Sequence, residues 1–444
     1  MTSQNTDALT RAATGIAGLD EVLRGGLPQG EMHVIRGGPG TGKTTIGLQF
    51  LLEGSAKGEK VAFITLSQTE RALRKIVASH GWALDGVDVR EQSAMQPSGD
   101  GVEQTLFHTA DVELGETMDA LLAEVERLDP DRLVLDSIGQ IRHLADTRLR
   151  YNRQLLALRD YFAKRSTTVL ILDSSEEGED ALEDLTHGTI RLDRNVPEYG
   201  DVRRRIYIAK MRGMDFHGGI HNFRIRTGGL DVYPRLEPRA DDGHGFGGDV
   251  VKSSAEELDA LLGGGLEAGT ACMLVGATGT GKTSVATLYA YAAAKRGQRA
   301  AIFSFDERPE TFFKRSEGLG MDLRPLVEDG LIILRTVNTA ELSPGECAQN
   351  LRDAVEQDDV KLVMIDSLTG YFHAMPQEEA LLAQLHDLLA FLSERGVLTL
   401  LVVGQHGMLA EAVKAPLEVS YLADTVIVIR HFEATGACAR RSRS

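Results

Sequence analysis

Cysteine is scarce: Cys272, Cys347 and Cys438 are the only three, and none forms a CxxC pair. That usage supports neither a zinc site nor a disulfide framework, and it points to a reducing, cytoplasmic setting. No apolar run approaches the roughly 18 residues that a membrane-spanning helix requires. The segment Met1 to Arg11 is polar and lacks the apolar centre of a secretion signal. An excess of positive charge is missing too. The net charge is -17, so the surface as a whole offers no basic footprint for nucleic acid. The 48 Lys and Arg residues form two visible clusters, Arg203-Arg204-Arg205 and the tail Arg440-Arg441-Ser442-Arg443. The first has the pattern of an amphipathic strand start. The second has that of a solvated end, with Ala437 to Ser444 unlike a strand. The composition, 42% hydrophobic and 25% charged, is that of a globular chain, and 444 residues suffice for two or three domains.

What the chain does contain is a copy of itself. Thr14-Gly15-Ile16-Ala17-Gly18-Leu19-Asp20 is echoed by Ser253 to Asp259, and Gly25-Gly26-Leu27 by Gly264-Gly265-Leu266. Gly37 to Thr44 returns as Gly276 to Thr283. Every pair is displaced by 239 positions, a whole domain, so this is a duplication and not a solenoid. Pro, Gly and charge crowd the stretch between Tyr233 and Val250, which has the character of a linker. The expected division is residues 1–236, a linker at 237–249, and a second copy at 250–444 without its last hairpin.

Apolar runs such as Met32 to Arg36, Val61 to Leu66, Arg132 to Asp136 and Thr167 to Leu172 predict strands. The segments Thr45 to Ala56, Thr69 to His80 and Arg148 to Lys164 predict helices. Such alternation implies an α/β fold: two tandem P-loop domains, each a mostly parallel sheet with helices on both faces. Runs like Leu133-Val134-Leu135 suit strands buried on both sides.

The pattern GxxxxGK[ST] occurs at Gly37 to Thr44 and again at Gly276 to Thr283. Glycines let successive backbone N–H groups face one anion, and the following helix adds its positive end. Lysine reaches the β and γ phosphates of ATP, and the hydroxyl after it holds Mg²⁺. The candidate nucleotide ligands are Gly38, Gly40, Thr41, Gly42, Lys43, Thr44 and Thr45, then Thr278, Gly279, Thr280, Gly281, Lys282, Thr283 and Ser284. Metal ligation also asks for an acid at the end of a nearby buried strand. Asp136 and Asp366 supply it, joining Thr44 and Thr283. Hydrolysis further needs a residue to orient or deprotonate water. The second copy offers Asp306 and Glu307 after its strand, and the first offers Ser67 and Gln68. Gln68 can orient a water but cannot act as a base. A helix N-terminal cap is the competing role for Asp306 and Glu307.

The order Thr-Gly-x-x-Gly-Leu-Asp, Gly-Gly-Leu-Pro-x-Gly, phosphate loop, Thr-Leu-Ser, Ser79-His80-Gly81-Trp82 and Lys210-Met211-Arg212-Gly213 resembles the KaiC family of RecA-type ATPases. The resemblance covers nearly the whole chain. It implies tandem domains in ATP-dependent hexameric rings, with ATP at the subunit interfaces and regulatory proteins as partners. It also implies that Lys210 and Arg212 reach a neighbour's site, where they neutralise γ-phosphate charge, and that the family's acidic pair falls on Asp306 and Glu307. A solvated strand end is the alternative for Lys210 and Arg212, and no counterpart of them is found in the second copy. The best-known member phosphorylates itself on a Ser-Thr pair near its C-terminus. Here only Ser442 and Ser444 lie in that region, which makes autokinase activity an expectation by family alone. A DNA-associated RecA-like ATPase and a nucleotide-gated protein scaffold with little hydrolysis are the other classes the sequence permits. Tighter holding at the Lys43 site and slow chemistry at the Lys282 site is the expected division.

Overall fold

The computed structural model describes residues 10–92, 109–145, 147–175, 181–197, 200–237, 249–338, 342–374, 380–405, 420–434 and 437–443. The chain divides into two compact units near residue 235, and each is an α/β domain built on a mostly parallel sheet. Most of the linker lies outside the described residues.

The large sheet of the first unit contains β1 (Met32–Gly37), β2 (Val61–Thr65), β3 (Val87–Glu91), β4 (Arg132–Asp136), β5 (Thr168–Asp173), β6 (Gly188–Asn195), β7 (Arg203–Met211), β8 (His221–Arg226) and β9 (Gly229–Tyr233). Their order is β9-β8-β7-β6-β1-β5-β4-β2-β3. Pairing is parallel from β6 through β3 and antiparallel from β6 to β9. The helices that matter to the site are α1 (Lys43–Ala56), α2 (Glu70–Ser79) and the short α3 (Ala181–Leu185). The sheet carries an apolar core on each face. Along β4, Val134 packs into one cluster while Leu133 and Leu135 pack into the other. That alternation is the two-residue period of a strand buried on both sides.

The second unit repeats the plan with β10 (Ala271–Ala277), β11 (Arg299–Ser304), β12 (Ile332–Thr336), β13 (Val360–Asp366), β14 (Leu398–Gln405), β15 (Thr425–Ala434) and β16 (Ala437–Arg443). Their order is β12-β11-β13-β14-β10-β15-β16, parallel throughout except β15–β16. Helix α4 (Lys282–Lys295) follows the second phosphate loop, and α5 (Pro309–Glu317) follows β11. The tail therefore departs from expectation. Ala437–Arg443 is a strand, in register with Val428 to Ala434. Ala and Arg have little intrinsic preference for strands, but ladder hydrogen bonds to an existing strand override propensity. Arg443 pairs with Val428, as Tyr207 pairs with Arg191 one strand outside the phosphate-loop strand in the first unit. The register place that Lys210 holds, and counterparts of β8 and β9, are not found among the described residues.

The opening repeat now has a physical reason. Asp20 accepts from Thr14 N at 2.7 Å and Thr14 Oγ1 at 2.8 Å. Asp259 accepts from Ser253 N and Oγ, both at 2.8 Å. The carboxylate staples the entering chain to a short helix, Ala17–Val22 or Glu256–Leu261. Burial pushes the Asp20 carboxyl above its usual range, against the pull of the Thr14 hydrogen bonds.

Gly18 is needed in the first copy for a different reason. A Cβ there would stand 1.9 Å from the Val232 carbonyl oxygen of β9. Ala in place of Gly ordinarily stabilises a helix by about 1 kcal/mol. Here the overlap with backbone reverses the sign. Gly18→Ala is expected to cost roughly 2–4 kcal/mol, read as a lower urea midpoint of the first unit's transition. A midpoint unchanged or raised would show that β9 yields freely. At the matching place the second copy carries Glu257, which is exposed. Likewise Gln49 of α1 accepts from Leu230 N of β9 at 2.9 Å, and its counterpart is Leu288.

Candidate functional site

Each phosphate loop joins a buried strand end to a helix start. Gly42 and Gly281 precede α1 and α4 with φ of 104° and 98°, and neither helix has a side-chain cap. The first-turn N–H groups are thus left to an anion, as phosphate binding requires. A Cβ at Gly42 would also stand 2.8 Å from Ile225 Cδ1, so that side chain would have to shift to admit one. The lysines are held against their own loops. Lys43 Nζ donates to the carbonyls of Gly37 at 2.6 Å and Gly38 at 2.9 Å, and Lys282 Nζ to Ala277 at 2.8 Å. Thr41 and Thr280 each donate across the loop, to Gly38 and Ala277, both at 2.9 Å. Gly38, Gly40, Thr278 and Gly279 complete the loops, and Thr45 and Ser284 stand in the first helical turns.

The metal candidates meet as hydroxyl–carboxylate pairs. Thr44 Oγ1 donates to Asp136 at 3.2 Å, and Thr283 Oγ1 to Asp366 at 3.3 Å. The peptide bond after each aspartate is cis. Burial raises the Asp136 carboxyl, opposed by Thr44 and the Lys43 charge. It raises Asp366 to about 6, opposed by Thr283 and Arg315 and reinforced by Asp306 and Glu307. Among the described residues no three His, Cys, Asp or Glu side chains cluster as metal ligands. One carboxylate and one hydroxyl suit a hard cation that completes its shell with water and phosphate oxygens, the habit of Mg²⁺.

The two copies present the residue after the second strand in the same turn. Thr65 Oγ1 accepts from Gln68 N at 2.9 Å, and Ser304 Oγ accepts from Glu307 N at 3.3 Å. From that turn Gln68 Nε2 donates to Asp136 at 3.2 Å and approaches Thr44 Oγ1 at 3.5 Å. Glu307 instead accepts from Arg315, at 2.7 Å and 3.2 Å. Asp306 accepts from Ser367 Oγ at 2.6 Å. Neither acid caps α5, whose cap residue Arg308 makes no side-chain cap bond. The structure thus brings Gln68 into contact with Thr44 and Asp136. It places Asp306 against Ser367, the residue following Asp366. Ser67 does not enter the first site's hydrogen bonds through its side chain.

Lys210 and Arg212 lie elsewhere. Lys210 Nζ donates to the Glu183 carbonyl, and Arg212 to the Asp184 carbonyl at 3.0 Å, both on α3. Neither is held by a phosphate-loop atom of its own chain. Lys210 is partly desolvated, which lowers its pKa, as does Arg212 beside it. Three participants were missed from sequence: Arg315, Ser367, and the Thr65/Ser304 pair that sets the turn. Arg315 carried one signal, since its counterpart is Ile76 and a charge appears in only one copy. The free thiols Cys272 and Cys347 are buried away from these contacts.

No described helix is long and apolar enough to cross a membrane. The family model described as "ATPase: KaiC" matches residues 12–237 and 251–444. The chain is 27% identical to circadian clock protein KaiC3 of Synechocystis sp., over 99% of this chain and 88% of that protein. It is 24% identical to the circadian clock oscillator protein KaiC of Parathermosynechococcus lividus, over 97% and 80%. With the protein of that name from Synechococcus elongatus the identity is 24%, over 99% and 86%. Two phosphate loops in matching positions of a duplicated domain, both matched by one family model across nearly the whole chain, place this protein in the KaiC family of ATPases.

Proposed function

We propose that this KaiC-family ATPase works as a nucleotide-dependent regulatory switch in which the two sites divide the labour. The first holds ATP, and the second hydrolyses it. One observation carries the reading: the same turn presents an amide, Gln68, to the first metal pair and a carboxylate, Glu307, to the second unit. An amide cannot take a proton from water, and a carboxylate can. Mg²⁺, held by Thr44 and Asp136 or by Thr283 and Asp366, would neutralise β- and γ-phosphate charge. Lys43 and Lys282 leave their loop carbonyls to bind the phosphates. In both sites the first-turn amides of α1 and α4 orient the nucleotide.

In the assembly we propose, a homo-hexamer, Lys210 and Arg212 serve a neighbouring subunit's first site. Their donors rest on α3 carbonyls and not on their own phosphate loop, which fits action in trans. Regulatory proteins would read the ring's nucleotide state in the cytoplasm, with domains at 1–236 and 250–444 joined by 237–249. Autokinase activity has less support. Ser442 sits on the edge strand β16, and Ser444 lies outside the described residues.

Phosphate release by the wild type, Lys43→Ala and Lys282→Ala, with oligomer size followed by scattering, tests the division. Lys282→Ala is expected to remove at least nine-tenths of steady-state release (roughly tenfold or more) while the ring persists. Lys43→Ala is expected to lose retained nucleotide and ring size first. The reverse pattern would sink the reading.

A further inference from the structure

Glu307 is not free to choose its position. Arg315, on α5, grips it with a two-pronged fork: Nη2 donates to Oε2 at 2.7 Å and Nε to Oε1 at 3.2 Å. The same guanidinium reaches Ser284 Oγ at 3.5 Å, in the first turn after the second phosphate loop. The guanidinium also lies over Phe312, its Cζ 4.9 Å from the ring centroid. Phe312 is fully buried in the core. One arginine therefore ties three things together: helix α5, the carboxylate after β11, and the start of α4. Both partners are roughly three-quarters buried, with side chains 27% and 21% exposed. What the pair offers is geometry, because a planar guanidinium fixes both the distance and the plane of a carboxylate.

The first copy shows what the arrangement is for. Its α2 carries Ile76 in the matching place, partly buried against the core. There Gln68 turns to Asp136 and Thr44 instead. The arginine and the carboxylate occur together in one copy and are both missing from the other.

We propose that Arg315 is the positioning residue of the second site, holding the Glu307 carboxylate in the plane and place from which it accepts a proton from water. It acts through Glu307 and also keeps a positive charge beside the Asp366 carboxyl. This rests on the second site being the hydrolytic one.

The test is a double-mutant cycle on the full chain with Mg-ATP: wild type, Arg315→Ala, Arg315→Lys, Glu307→Gln, and Arg315→Ala with Glu307→Gln. Displacing a base by about an ångström costs up to roughly 100-fold, so Arg315→Ala is expected to lower kcat roughly 10- to 100-fold with KM within about threefold. Arg315→Lys, which keeps the charge and loses the fork, recovers part of that. The double variant falls no lower than Glu307→Gln alone. The proposal is overturned if the two losses multiply, or if Arg315→Ala moves KM and leaves kcat unchanged. It is also overturned if Arg315→Lys, folded by its melting profile, performs no better than Arg315→Ala. A chain whose turnover ignores Glu307→Gln refutes the hydrolytic reading of the second site. A Glu307-dependent chain that ignores Arg315→Ala refutes only the present proposal.

Discussion

Exchanging Glu307 for glutamine is expected to lower steady-state ATP turnover by roughly 10²- to 10⁴-fold, the range that a general base contributes. The substitution keeps the size of the side chain and one oxygen that can accept from Arg315. It removes the capacity to take a proton, and with it the charge and one prong of the Arg315 fork. The first copy is the natural control, because Gln68 already stands on the same turn beside an intact hydroxyl–aspartate pair. Nucleotide binding to the second loop should change little, since Lys282, the loop amides and Thr283 are untouched. Phosphate release and bound-nucleotide content, measured on the same samples, separate the two effects. A loss below about tenfold would mean that another group activates water, and Asp306 would be the first to examine.

Asp366→Asn is expected to act with opposite signs on stability and on turnover. Burial lifts the Asp366 carboxyl to about 6, with Thr283 and Arg315 pulling down and Asp306 and Glu307 pushing up. An unfolded aspartate titrates near 3.9. Between those values the folded chain binds more protons than the unfolded one, so stability falls as pH rises from about 4 to about 6. Above pH 6 the penalty is fully present. Two pKa units correspond to about 3 kcal/mol. Without divalent metal at pH 7.5, Asn should therefore raise the second unit's stability by about 2–3 kcal/mol, a gain that vanishes near pH 4. With Mg-ATP the order reverses, because the wild type is stabilised by ligand and the variant has lost a ligating oxygen charge. Turnover should fall by roughly 100-fold or more. Thermal melts with chelator and with Mg-ATP, at both pH values, check all three signs. A variant less stable than the wild type without metal would show that the Asp366 charge is compensated in the folded chain.

The phosphate loops, the buried strands before them and the aspartates at Asp136 and Asp366 were legible because each depends on local chemistry. Glycine, lysine, hydroxyl and a strand-terminal acid announce themselves within a few residues. The contrast between Gln68 and Glu307 was legible too, since the repeat aligns them. Arg315 was not, because its partner lies eight positions away across a helix entry and the contact depends on how α5 is seated. The tail was misjudged for a related reason. Ala437–Arg443 has no strand pattern of its own and takes its conformation from β15. The helix-cap role for Asp306 and Glu307 failed because the chain enters α5 through Arg308 and Pro309, leaving both acids upstream of the cap.

Gly18 and Gln49 form a seat in the first unit, and Glu257 and Leu288 stand at the matching positions of the second. The two copies have thus ceased to be interchangeable parts. Grafting the β8–β9 hairpin onto the second unit would press a backbone carbonyl into the Glu257 side chain and leave the Leu230 amide facing leucine where it had an amide oxygen. Any segment or partner that covers that place must use other contacts than those of the first unit. The duplicated domain has kept both phosphate loops here and rebuilt the surface beside one of them.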